Sequence, residues 1–439
     1  MHQNKNNKKL GLWMSTSLVI GNMIGAGVFL MPAALAAYGG ISIVGWVASS
    51  LGTFVLALVF SKLSKLFRDK SGGPYAYTKV GFGEFAGFLV AWGYWISVWI
   101  GMAVLAIAFV SALSILFPIL GNNSLVSVLT GLSAIWFLTW VNSRGVRESG
   151  KIQVVTTILK LTPIIMIIVG GFFFFNIDNF IPFNVSDSSN FEAIAITSTM
   201  TLYAFLGFES ATIPSDNVKN PGKTIPRATI LGPLITTMVY ILGTIAVMGM
   251  VPLGELAISP APFADAMGVM TGGLGRGLVA CGAAIAAFGA LNGWILIVGQ
   301  LPRATAKDKL FPGIFKKENK QGVPVYGMLI GSALATVLML MNYSEGLVEQ
   351  FRFLILLGTL TALVPYLFTA ASYVSILLER KLPSQPWLGI YGMGSLAFSY
   401  SIWAIFGSGE KSVFWGFILL MLGIPFYVFV KWKNKDSTE

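Results

Sequence analysis

Charge is scarce in this sequence. Only 11% of its 439 residues are Asp, Glu, Lys or Arg, against about a quarter in an ordinary soluble domain, which excludes a water-exposed globule of normal make-up. Histidine is scarcer still. His2 is the single one, and no Cys/His or carboxylate cluster has metal-ligand spacing, so no metal or other cofactor is implied and an enzyme is not expected. The lone cysteine, Cys281, can form no internal disulfide; set in an apolar run, it reads as core filler. The ten-residue polar/apolar alternation of an outer-membrane barrel is missing too. The longest soluble stretch is about 25 residues, near 251–276, which leaves no room for a receptor domain.

What is present is apolar. Hydrophobic residues make up 55% of the chain and the mean hydropathy is +0.76. A spanning helix needs about 20 mostly apolar residues, and twelve such runs are read, at 11–36, 41–64, 84–116, 125–142, 152–175, 192–213, 228–251, 277–302, 323–341, 350–377, 386–407 and 412–431. Inside hydrocarbon only helices satisfy the backbone of such runs. The fold class is therefore an all-α polytopic membrane protein. Lys5, Lys8 and Lys9 ahead of an apolar stretch ending near Ala34-Leu35-Ala36 imitate a signal peptide. The stretch is longer than the usual ~7–15-residue apolar core and carries Asn22, so it is expected to be retained as the first helix.

The net charge of +11 is a topology signal. Counted by alternate loops, 25 Lys and Arg fall on one side and three, Arg276, Arg352 and Lys411, on the other. Positive loops mark the cytoplasmic face, which puts both termini inside. Attraction to anionic lipid is a side effect, and nucleic acid is not an expected partner.

Lys160 belongs to no loop: it lies mid-span in "TTILKLTPII", and Glu209 lies inside the sixth span in "TLYAFLGFESATIP". A charge at the bilayer centre costs at least ~2.5–3.5 kcal/mol on insertion scales, so it faces protein or a cavity and marks a substrate or ion pathway. The plainer alternative is a structural charge satisfied by a carbonyl or by its opposite number.

Glycine raises the other question. "GNMIGAGVFLMP" interrupts the first span at Gly25-Ala26-Gly27, and Gly207-Phe208-Glu209-Ser210 interrupts the sixth. On the Gly21-x3-Gly25 spacing alone, close helix packing accounts for the glycines. Breaks five spans apart, however, point to a transporter site at the midplane, with the second half inverted. Unwound backbone offers N–H groups to a carboxylate and carbonyls to an ammonium, and glycine lets a ligand approach it. A zwitterionic amino-acid head group fits. A channel would need a continuous polar lining or a carbonyl filter, and neither is read here.

The stretches "GNMIGAGVFLMPAALAAYGGI", "SGGPYAYTKVGFG", "TLYAFLGFESATIPSDNVKNPGKTIPRATI", "GMVPLGELAISPAPFADA", "GWILIVGQ" and "LFPGIFKKENKQGVPVYGML" together resemble the amino acid–polyamine–organocation transporters, most of all the bacterial arginine/agmatine and putrescine/ornithine antiporters. The resemblance runs from about residue 9 to about residue 425. It implies a five-plus-five inverted repeat of the LeuT type, 11–175 and 192–377, then two helices over 386–431, with short cytoplasmic tails at 1–10 and 432–439. It also implies alternating access in the bacterial inner membrane and, as in many relatives, a homodimer.

Carried over residue by residue, the resemblance implies that the backbone of Gly25, Ala26 and Gly27 binds the substrate carboxylate. Carbonyls near Met23 and Ile24, and near Tyr203, Ala204 and Leu206, receive the amino group. Ser97, Met102, Tyr203, Trp294 and Ile355 shape the side-chain pocket. Glu209, Tyr94 and Tyr75 match residues of gating and pH response. Lys160 resembles a fifth-span lysine whose ammonium replaces a sodium ion, so sodium coupling is not expected. Ala26 replaces a serine of the arginine antiporter, Tyr203 a tryptophan and Met102 an asparagine that contacts the guanidinium. The expected function is secondary exchange of a cationic amino acid or its amine, with a neutral amino-acid exchanger or proton-coupled permease as the alternative.

Overall fold

The structure, a computed structural model, describes residues 9–25, 27–67, 70–259, 261–272, 274–341, 347–380, 387–407 and 410–435. Its longer helices, in chain order, are α1 (Leu12–Met23), α2 (Gly27–Ala36), α3 (Ser42–Leu66), α4 (Pro74–Ser114), α5 (Ser124–Ser143), α6 (Val146–Gly171), α7 (Asn190–Leu202), α8 (Pro221–Met250), α9 (Pro262–Thr271), α10 (Leu274–Lys307), α11 (Val325–Met341), α12 (Leu347–Arg380), α13 (Trp387–Gly407), α14 (Glu410–Met421) and α15 (Gly423–Lys435). Among the described residues the only extended pairing is one parallel bridge, Leu10 with Val218. Nine helical stretches there are long and apolar enough to cross a bilayer, and α11 adds a shorter apolar one. The protein is an all-helical polytopic membrane protein.

Local chemistry sets the helix ends better than hydropathy does. α4 begins at Pro74, ten residues before its apolar run at 84. Gly72 and Gly73 turn the chain there at φ +108° and +53°, and a proline at the first helical position lacks only an N–H that would be unpaired anyway. The helix then kinks at Gly83, φ +83°, before entering the apolar stretch. α8 likewise starts at Pro221, after a left-handed Asn220. At the other end of the chain, Gly423 and Pro425 divide the last span into α14 and α15; a proline ring collides with the carbonyl four residues earlier.

α4 packs along α12 and α10, and α10 also lies on α6, while α3 lies between α7 and α8. The most apolar window of α10 is 78% buried within the protein and that of residues 413–433 only 22%, so α10 is central and the C-terminal helices are peripheral. Between lipid-solvated helices side-chain hydrogen bonds are the available glue. Asn292 of α10 donates to Ser149 O (3.0 Å) and Gln153 Oε1 (3.1 Å) of α6, and Asn142 of α5 donates to Asn292 Oδ1 (3.0 Å).

One expectation fails here. Cys281 does not fill the core: it is exposed, because the outward face of a membrane helix meets lipid and an apolar residue gains nothing there by turning inward. The stretch near 251–276, expected to be soluble, lies outside the nine candidate spans, and its described residues are partly helical. Among them are a short helix, Leu253–Leu256, and α9, whose Phe263, Ala264, Ala266 and Met267 are buried. The Phe263 ring packs edge-on against Phe29 at 5.4 Å.

Candidate functional site

α1 stops at Met23 and α2 starts at Gly27, with Ile24 and Gly25 non-helical between them. The second break lies earlier than the glycine suggested. α7 ends at Leu202, a single 3-10 turn covers Tyr203–Phe205, Leu206 is extended, and Gly207 follows at φ +102°. A Cβ on Gly207 would lie 3.0 Å from Asn22 Cβ, so the two breaks touch and the positive φ requires glycine. After it the chain runs on in short turns, Ser210–Thr212 and Ser215–Asn217.

Freed backbone groups in a membrane interior need partners, and side chains from other helices supply them. Lys160 Nζ of α6 donates to Gly21 O (2.9 Å) and Ile24 O (2.7 Å). Tyr240 of α8 places its hydroxyl 2.7 Å from Met23 O and 3.0 Å from Ala204 O, one carbonyl from each break. Gly207 N–H donates to the Tyr366 hydroxyl of α12 at 3.2 Å. Asn22 Nδ2 donates to Ser210 Oγ at 2.7 Å, while Asn22 Oδ1, buried, has no partner among the described residues.

A cavity of about 90 Å³ lies where the breaks meet. The helix α2 directs its N-terminus at the first break, and a helix N-terminus favours an anion. Of the residues singled out in the sequence, Met23, Gly25, Ser97, Tyr203, Ala204, Leu206 and Trp294 are on the cavity wall. Ile24 is fully buried behind it and contributes its carbonyl to Lys160 instead. Met102 is fully buried, and the residues of α4 on the wall are Ser97, Ile100, Gly101, Val104, Leu105 and Ala108. Ala26 and the side chain of Ile355 lie outside the described residues. Among the described residues, no charged side chain lines the cavity.

After the second break Glu209 is fully buried and accepts hydrogen bonds from the Tyr94 hydroxyl of α4 and, at 2.6 Å, from that of Tyr366. Tyr75 is apart from this set. Its hydroxyl donates to Asp308 at 2.6 Å, beside Lys79 at 2.9 Å, in a polar layer at the end of the molecule that carries Leu10. The layer continues through Asp216, which pairs with Lys307 (2.8 Å) and Arg303 (3.4 Å), and through an Arg303–Glu318 pair. Burial would raise the Asp216 carboxyl, but the Lys307 hydrogen bond and the charges of Lys307 and Arg303 outweigh it and hold the group below its ordinary value. Asp308 is depressed in the same way, burial being overcome by Tyr75 and Lys79. Sequence reading missed Tyr240 and Tyr366. The available signal was a tyrosine deep inside an apolar span, where interfacial belts do not reach.

A cavity between two interrupted membrane helices, walled mostly by apolar side chains with a few polar groups among them, defines a membrane carrier. A family model for amino acid permeases matches residues 10–434, and the chain belongs to that family. It is 33% identical over 433 residues to the putrescine transporter PotE of Haemophilus influenzae, an alignment covering 97% of this chain and 98% of the relative. It is 32% identical over 453 residues to the arginine/agmatine antiporter of Chlamydia felis, covering 99% and 92%. The Escherichia coli putrescine transporter PotE is 33% identical over 446 residues and covered completely.

Proposed function

We propose that the protein exchanges a cationic amino acid or its decarboxylated amine across the bacterial inner membrane by alternating access. The chain is read as two inverted repeats of five helices, 11–175 and 192–377, followed by 386–431, with both termini cytoplasmic. One observation carries the reading: residues of both breaks border a single cavity. The amides of Gly25, Ala26 and Gly27 receive the carboxylate, with Gly25 N–H giving up its 2.9 Å bond to Met23 O. The carbonyls of Met23, Tyr203, Ala204 and Leu206, joined by the unpaired Asn22 Oδ1, receive the amino group. Ser97, Tyr203 and Trp294 frame the side chain; an indole face attracts a cation by ~0.5–2 kcal/mol. The relatives named for putrescine, arginine and agmatine support a cationic substrate. The uncharged wall favours the second reading, a neutral amino acid.

A thermal-shift screen of the purified protein against the twenty amino acids, agmatine, putrescine and cadaverine separates the two, because only ligands of the folded state raise its midpoint. Arginine, ornithine or their amines should give the largest shifts. Shifts confined to neutral amino acids would select the second reading, and no shift at all would remove both.

Gly101 supplies a second prediction. A Cβ there would sit 3.7–3.9 Å from the Trp294 ring, ordinary contact distance, so a larger side chain covers the indole face. Gly101→Val is expected to weaken long cationic ligands about tenfold, the loss of roughly 1–2 kcal/mol of cation–π contact, while leaving small ligands such as alanine unaffected in competition binding. Equal losses for both would show that Trp294 does not face the substrate's distal end.

A further inference from the structure

The residues just ahead of α1 make a contact that the carrier reading leaves unused. Leu10 is 1% exposed although it precedes the first helix. Its backbone is paired on both sides with the linker that follows the second break: Leu10 N–H donates to Asn217 O at 2.8 Å, and Lys219 N–H donates to Leu10 O at 2.8 Å. Its side chain belongs to a small apolar cluster, separate from the main core, with Leu18, Val146, Val218, Ile225, Val323 and Met328. The cluster therefore joins α1, the starts of α6 and α8, the 218 linker and α11. Space for the leucine comes from Gly150, where a Cβ would lie 2.6 Å from Leu10 Cδ2.

Over its first turns the helix that this contact tethers leaves two buried hydroxyls unpaired, and α6 reaches its backbone there at Ser17 O, through Gln153 Nε2 and Thr157 Oγ1, each at 3.3 Å. Ser15 and Thr16 are buried at 0% and 1% exposure, yet Ser15 Oγ and Thr16 Oγ1 have no hydrogen-bond partner among the described residues. A buried hydroxyl without a partner is unfavourable where it is and gains bonds on meeting water. The cavity wall takes Asn22, Met23 and Gly25 from around the first break but nothing earlier in α1, so this half of the helix seals the end opposite the cavity. A segment that is sealed, yet better solvated when open, needs something to hold it shut.

We propose that residues 10–11 form a strap that holds the N-terminal half of α1 closed against the cytoplasm, with Leu10 as the residue that fastens it. The inference rests on the alternating-access reading, and it adds the element that must let go for the inward-open state. Release of Leu10 from its cluster frees α1 from the 217–219 linker. α1 can then pivot at Ile24 and Gly25, exposing Ser15 and Thr16 to cytoplasmic water.

The test needs no substrate, so it is independent of whether the substrate assignment is right. In a Cys281→Ser background, the thiol introduced by Thr16→Cys is reacted with a membrane-impermeant maleimide on inside-out vesicles. Adding Leu10→Ala should raise the labelling rate at least tenfold. Gly150→Ala, which crowds Leu10 from the opposite side, should do the same. Leu10→Met, which refills the cluster, and Trp13→Ala, at a neighbouring side chain that is 70% exposed, should label at the parent rate. Parent-rate labelling in both Leu10→Ala and Gly150→Ala overturns the proposal. So does an equal rise at a second reporter, Thr229→Cys on α8, since that pattern is general loosening and not release of α1.

Discussion

Lys160→Ala is expected to cost the folded protein about 2–6 kcal/mol and to remove the pH dependence of exchange. The first part follows from hydrogen-bond accounting. The Lys160 ammonium is fully buried and donates to Gly21 O and Ile24 O. Alanine leaves both carbonyls without that donor in a region where water cannot substitute, and each stranded buried group costs about 1–3 kcal/mol. Arginine should not rescue the loss, because a planar guanidinium cannot replace a compact ammonium seated between two carbonyls of one broken helix. The second part follows from position: the group that holds the first break is ionisable, and the break is where substrate is read. Exchange measured in liposomes across a range of pH, alongside thermal midpoints in detergent, checks both. A destabilised variant whose residual exchange keeps the wild-type pH profile would leave Lys160 as a structural tie with no part in coupling.

Lys160 and Glu209 were legible in the sequence for one reason: a charge inside a hydrophobic run has no cheap explanation. The two breaks were legible because glycines recur at matching places. What hydropathy could not supply was direction. Around α4, residues 97, 101, 104, 105 and 108 share one helical face, and this face borders the cavity. Position 102 is turned about 100° from 101 in an α-helix of 3.6 residues per turn, and Met102 points into the core. Carrying a role over to a position says nothing about such a rotation. Partner identity was equally hidden. Tyr240 satisfies a carbonyl of each break, and Tyr366 ties Gly207 to Glu209, but in the sequence each is one aromatic among many apolar neighbours. The exposure of Cys281 has a related cause, since in lipid both faces of a helix are apolar and composition no longer separates inside from outside. The strap at Leu10 was invisible because one leucine before a helix carries no pattern; only the backbone pairing with residues 217–219 reveals it.

Glu209→Ala should slow exchange about a hundredfold, equivalent to roughly 3 kcal/mol on the transport barrier. Glu209 gathers three elements: its own segment after the second break, α4 through Tyr94, and α12 through Tyr366, whose oxygen also accepts from Gly207 N–H. Phe208 adds a ring contact to Tyr366 at 5.0 Å. Removing the carboxylate strands two phenolic hydroxyls in the interior, each unfavourable by about 1–3 kcal/mol, and unties α4 and α12 from the break whose movement the cycle requires. Glu209→Gln separates charge from shape. It keeps one oxygen as acceptor and turns an amide donor toward the other phenol, so it should fold like the wild type yet exchange about tenfold more slowly, since bonds to a charged acceptor exceed neutral ones by roughly 1 kcal/mol. In combination with Tyr94→Phe and Tyr366→Phe, the effect of Glu209→Ala should shrink well below the sum of the parts, because residues in one hydrogen-bonded network are not additive. Initial rates of counterflow with labelled substrate measure all of these. If Glu209→Gln exchanged at the wild-type rate at every pH, the carboxylate's charge would have no role in the cycle, and the cluster would serve only as packing.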